Sequence, residues 1–118
     1  LAEKVKWIVA DITEFVPKQE YAIWHDRAVF HFLTKQKDKE NYRELLNSAV
    51  DSYFILATFS NYGPSKCSGL EVCSYDKKEM HAFFSVNFSV VSSFIYDHPT
   101  PFGTYQSFLF SVFNKMNE

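Results

Sequence analysis

The chain has 118 residues, 47% of them hydrophobic and 19% aromatic, which suffices for one folded domain and is too apolar for a disordered one. A net charge of −2, from 12 Lys and Arg against 14 Asp and Glu, offers no basic field for nucleic acid or anionic lipid. No apolar run approaches the ~20 residues needed to cross a bilayer and no charged-then-apolar leader opens the sequence, so we expect a cytoplasmic protein with no membrane partner.

In chain order, Val5-Lys6-Trp7-Ile8-Val9-Ala10 is β-rich and ends at Asp11. Tyr21 to Trp24 is a second, short apolar strand that runs into the polar corner His25-Asp26-Arg27. In an open α/β sheet such a corner lies at the carboxyl end of a strand, where ligands bind. Asp26 to Leu33 reads as a helical turn, with Val29, Phe32 and Leu33 at i, i+3 and i+4. The spacing of Tyr42, Leu45, Leu46, Ala49 and Val50 predicts an amphipathic helix over 38–50. Tyr53 to Phe59 is a near-continuous apolar run, the mark of a strand buried on both faces of a parallel sheet.

Ser60 to Ser74 is a polar loop long enough to be functional rather than connective. Asp76 and Glu79 are spaced as a capping box ahead of a short helix bearing Met80, Phe83 and Phe84. Phe88–Tyr96 and Thr104–Phe113 are long strands, and the turn chemistry of 97–103 makes them an antiparallel hairpin. The order β, β, α, β, α, β, β predicts an α/β fold: a parallel sheet closed by that hairpin.

Cys67 and Cys73 supply only half of a tetrahedral metal site, and the four histidines are scattered, so no metal is expected. No secretory context supports a disulfide between the two cysteines.

Four segments together resemble the class I S-adenosylmethionine (SAM)-dependent methyltransferases, in a small bacterial-type subgroup. They are Ile8-Val9-Ala10-Asp11-Ile12-Thr13, Trp24-His25-Asp26-Arg27-Ala28-Val29-Phe30-His31-Phe32, Ala57-Thr58-Phe59-Ser60 with Gly63-Pro64 and Cys67-Ser68-Gly69-Leu70, and His98 to Gly103 with Gln106-Ser107-Phe108. The resemblance covers essentially the whole chain and implies a partial Rossmann-like methyltransferase sheet, from the family's third strand to its seventh. The chain departs from the family in having no Gly-Gly turn ahead of Tyr53 and, more seriously, no Gly-x-Gly loop. In the family those glycines let the backbone approach the cofactor, as in dinucleotide folds.

We therefore expect residues 1–118, which open on Leu1 rather than Met, to be the C-terminal part of a single methyltransferase domain from a longer chain. The implied sheet order, 3-2-1-4-5-7-6, then leaves the third strand without its neighbour and bares the edge of the fourth, which invites self-association.

The resemblance implies SAM as cofactor of the complete protein and a small-molecule acceptor. It implies that Asp11 accepts from the adenine amino group, that the Ile12 N–H faces a ring nitrogen, and that His25, Asp26 and Arg27 lie below the sulfonium. Asp11 is equally suited to capping the next turn, and Asp26 with Arg27 to a surface pair worth ~0–1 kcal/mol. Phe30 packs either on the cofactor or in the core. His31, Tyr62 and Cys67 are the candidates for the acceptor side, with a structural role as the alternative for His31. Cys67 has no evident base and is not expected to act as a nucleophile. The rival expectation is a catalytically inactive remnant serving as an oligomerisation or interaction module.

Overall fold

The structure, a computed structural model, describes residues 4–62, 66–67 and 70–116. β1 (Tyr21–Arg27) leads through a 3₁₀ turn at Phe30–Phe32 into α1 (Gln36–Ala49) and β2 (Val50–Phe59). A small antiparallel pair follows, β3 (Lys66–Cys67) with β4 (Leu70–Glu71), then α2 (Lys77–Phe84) and the strands β5 (Phe88–Pro99) and β6 (Tyr105–Lys115). The main sheet has the order β1-β2-β6-β5. β1 runs parallel to β2, and β6 lies antiparallel to both β2 and β5.

This is the α/β sheet that the sequence resemblance implies for the family's fourth, fifth, seventh and sixth strands. The hairpin, the amphipathic helix and the short capped helix are all present, with shifted ends. α1 starts two residues earlier than its apolar stripe suggests, and β2 begins at Val50 rather than Tyr53. The helical turn expected over 26–33 is confined to three residues, because β1 continues through His25, Asp26 and Arg27.

One expected element does not form. Val5 to Ala10 makes no strand; Trp7 keeps 82% of its surface and Val9 is fully exposed. A strand is completed by the ladder of a neighbour, and among the described residues none lies alongside this segment.

Both helices cover one face of the sheet. Phe54, Leu56, Leu109 and Phe113 point into that layer and meet Leu46 of α1 and Met80 and Phe84 of α2. Phe54 and Phe113 stack with ring centroids 5.6 Å apart, and Phe84 packs against both at 5.2 and 5.4 Å. Each such ring, fully buried, contributes about 1.5–3 kcal/mol. Arg43 ties the helices together: it donates to the Phe83 carbonyl at 2.9 Å while its guanidinium lies 4.4 Å over the Phe83 ring. The capping box of α2 is complete, with Asp76 accepting from the Glu79 N–H at 2.7 Å and Glu79 accepting from the Asp76 N–H at 3.3 Å.

On the opposite face a smaller cluster of Ala57, Phe59 and Phe108 is buried near the carboxyl end of β2, with Val72 and Phe110 packed against it. Register places Ile23, Tyr53, Ile55, Val112 and Phe94 on the rest of that face. No described helix covers it.

Candidate functional site

Parallel β1 and β2 end side by side, and the chain leaves each in a different direction. At the end of β1 the Ala28 N–H still bonds the Ala57 carbonyl at 2.8 Å, yet Ala28 itself has φ 66°. That left-handed conformation costs a residue with a Cβ about 1–2 kcal/mol, so the surroundings must hold it.

Asp26 does so. Its side chain points inward and is 3% exposed. One carboxylate oxygen accepts from the Val29 N–H at 2.8 Å. The other accepts from the Phe30 N–H at 3.0 Å and from the Tyr42 hydroxyl at 2.5 Å. Tyr42 in turn accepts from Trp24 Nε1–H at 3.3 Å. Burial pushes the Asp26 carboxyl above the ordinary carboxylate range, and the Tyr42 hydroxyl and two backbone N–H groups oppose that rise. Burial, with the Asp26 charge beside it, holds Tyr42 protonated far into alkaline pH.

The other predicted residues divide sharply. His25 and Arg27, either side of Asp26 on the strand, are exposed and project from the opposite face. Phe30 is completely buried, stacked on Tyr42 at 5.3 Å and Tyr75 at 5.5 Å, with no surface left for a ligand. His31 is also completely buried. Its Nδ1 accepts from the Phe59 N–H at 3.1 Å, which places the proton of the neutral ring on Nε2. Burial lowers the His31 pKa to about 4.

Asp11 is exposed and closes a turn, accepting from the Thr13 hydroxyl at 2.7 Å and the Thr13 N–H at 2.9 Å. Those two bonds, the hydroxyl first, hold its carboxyl below the usual range. Ile12 packs partly against the main core. Ile12 also lines a hollow of about 220 Å³, with Ile8, Ala10, Phe15 and Trp24.

Beyond the end of β2 lies a cavity of about 350 Å³, lined by both polar and apolar atoms, between Ser60, Asn61 and Tyr62 on one side and Tyr75, Asp76 and Lys77 on the other. Ser60 is fixed by the Ser107 hydroxyl at 2.6 Å, and its Oγ accepts from the Tyr62 N–H at 3.1 Å. Tyr62 stands at this cavity with 83% of its surface exposed. The side chain of Cys67 lies outside the described residues. Among the described residues no three His, Cys, Asp or Glu side chains gather as metal ligands, and no helix is long and apolar enough to cross a membrane.

Sequence reasoning missed Tyr42 and Ala28. Tyr42 reads as one more member of an apolar helix stripe, and an alanine gives no sign of a left-handed turn.

A parallel pair continued by an antiparallel hairpin is a fold shared with solved structures. The *Burkholderia thailandensis* 1,6-didemethyltoxoflavin-N1-methyltransferase, with S-adenosylhomocysteine bound, superposes on 98% of the chain with a TM-score of 0.75 at 16% identity. The fold is that of the class I SAM-dependent methyltransferases. The N-methyltransferase NodS of *Bradyrhizobium japonicum*, also with S-adenosylhomocysteine, matches 94% of the chain with a TM-score of 0.69 at 8% identity. A SAM-dependent methyltransferase of *Methanosarcina mazei* matches 94% with a TM-score of 0.72 at 10% identity. The chain spans 52%, 54% and 67% of these three chains, about half of the first two. No family model and no curated protein matches the sequence.

Proposed function

We propose that residues 1–118 are the C-terminal part of a single methyltransferase domain, which transfers a methyl group from SAM to a small-molecule acceptor in the cytoplasm. The observation that carries this reading is the superposition of 98% of the chain on about half of a methyltransferase that holds S-adenosylhomocysteine. Bound SAM supplies a methyl carbon already activated on a sulfonium, so the protein contributes chiefly alignment and exclusion of water.

The hollow beside Ile12 is apolar and suits a flat base. Asp11 uses one oxygen on Thr13, which leaves the other for an amino group. The exposed Arg27 and His25 stand at the donor end of β1, while Asp26 and Phe30 support that wall from within. Tyr62 and the cavity beyond β2 receive the acceptor, and Cys67 belongs to the same loop. His31 shapes that side through the Phe59 N–H rather than by touching a ligand.

The three glycines of the chain form no Gly-x-Gly, so the methionine end of the donor has no cradle here. Calorimetric titration of SAM into the 118-residue chain is expected to show no binding at micromolar concentrations; micromolar binding would refute the division of the crevice between two halves. An in-frame Gly-x-Gly loop upstream in the coding sequence supports the enzyme.

A second reading, an inactive remnant that self-associates, is favoured by the single-neighboured edge of β1 and by the exposed Ile23, Phe94 and Tyr96. Light scattering before and after the upstream segment is supplied separates the two, because the methyltransferase part should lose its self-association once its missing strands are present while the remnant keeps its oligomer.

A further inference from the structure

We infer that Asp26 is a positioning residue: its buried carboxylate, held by Tyr42, fixes the left-handed turn at Ala28 and thereby sets the direction of the backbone from Arg27 to Val29 at the carboxyl end of β1. The clamp itself stands on hydrogen bonds alone; its bearing on a methyl donor rests on the function proposed above.

The turn is pinned from two sides. On the sheet side the Ala28 N–H remains on the Ala57 carbonyl. On the core side the two oxygens of Asp26 take the next two backbone N–H groups, those of Val29 and Phe30. Ala28 is caught between these anchors with φ 66°. Released from the second anchor, an alanine returns to negative φ, which swings the Ala28 carbonyl and the Val29 N–H away from their present directions while the Arg27–Ala28 peptide stays on the sheet. Asp26 cannot leave its post while α1 is docked, because the Tyr42 hydroxyl of that helix donates to the same oxygen as Phe30.

Carboxylate chemistry is required here. Three donors converge on two oxygens, whereas a carboxamide has one oxygen and would turn its own N–H₂ toward a backbone N–H. Asp26 therefore acts through the backbone it holds and does not contact the ligand. This explains why a charged residue sits fully buried at the end of an edge strand, with its polar neighbours His25 and Arg27 outside.

Amide exchange and ¹⁵N shifts of the labelled 118-residue chain test this. In Asp26→Asn the Val29 and Phe30 amides should exchange about 30-fold faster, as expected for lost bonds to a charged acceptor, while Leu56 and Phe113 stay within about threefold of wild type. Tyr42→Phe, which removes only a hydroxyl and keeps the ring, should accelerate the same two amides about three- to tenfold. Equal acceleration at all four amides in both variants would reduce Asp26 to a general stabiliser and overturn the inference.

S-adenosylhomocysteine at millimolar concentration supplies the second readout. Wild-type amides of Arg27 to Val29 should shift, Asp26→Asn should weaken that binding about tenfold, and adding Ala28→Gly should recover most of it, since glycine enters the left-handed region freely. Unchanged binding in Asp26→Asn would overturn the positioning role. Absence of shifts in wild type, with the exchange pattern intact, would instead overturn the donor-crevice reading and leave the clamp standing.

Discussion

Under α1 and α2 the sheet presents Phe54, Leu56 and Phe113, all fully buried; on its other face Ile23, Tyr53, Phe94 and Tyr96 keep 43% to 59% of their surface. Residue type does not separate the two sets. What separates them is a cover: on the first side local sequence builds two helices with apolar stripes, and on the second, among the described residues, Val72 and Ala28 pack over the carboxyl end of β2 and no helix lies on the rest. Large apolar side chains left open in this way mark a face built to be covered. The same contrast runs along the chain. The described strands from Tyr21 to Lys115 each find a partner, while among the described residues Val5 to Ala10, equally β-rich, finds none.

Substitutions on the two faces should therefore differ greatly in effect. Phe54→Ala removes a ring packed against four aromatic neighbours, and urea denaturation should show a loss of about 3–5 kcal/mol. A loss under ~1 kcal/mol would mean that the covered face is as loosely organised as the open one.

Acid tests the small core at the end of the open face. His31 is neutral when folded, with its pKa lowered by burial to about 4, whereas the unfolded chain takes up its proton near the ordinary histidine value of 6.5. The unfolded state binds more protons between those values, so stability should fall as pH drops from about 6.5 to about 4. The expected loss is on the order of 2 kcal/mol once residual solvent screening is allowed for. Asp26, with its raised pKa, contributes in the opposite sense, losing stability as pH rises through its folded value. His31→Asn keeps an acceptor for the Phe59 N–H and should flatten the acid slope; an unchanged slope would assign it to other groups.

A smaller effect is expected from the cover itself. Asp76→Ala removes the cap of α2 and should cost about 1 kcal/mol by thermal or urea unfolding, with local fraying of that helix in circular dichroism. Smallest of all, Ile23→Thr or Phe94→Thr on the open face should change monomer stability by no more than about 0.5 kcal/mol. If the open face mediates self-association, the same variants should lower the mass seen by light scattering.

The helices and the hairpin were legible because their signals are local: the stripe from Tyr42 to Val50, the Asp76 and Glu79 pair, the turn residues between two alternating runs. Tyr62 was legible as a loop residue beside a strand end, and Asp11 as a turn-closing aspartate. The end of β1 was not. His25-Asp26-Arg27 breaks the apolar pattern, yet the strand continues through it because Asp26 obtains its donors from Val29, Phe30 and the distant Tyr42. A polar group that satisfies itself across the fold carries no mark in its neighbourhood. Val5 to Ala10 shows the converse, since a β-rich pattern with no described neighbour to pair with forms no strand.

The placement of β6 has a consequence for synthesis. It lies between β2 and β5, so β5 is synthesised before the strand that joins it to the rest of the sheet. Until residue 115 has emerged, β2 lacks its antiparallel neighbour and β5 has nothing to pair with. The nascent chain must therefore hold β2 and β5 unjoined until 105–115 has been made, and stalling or truncation within that stretch leaves a product that chaperones rather than folding must handle.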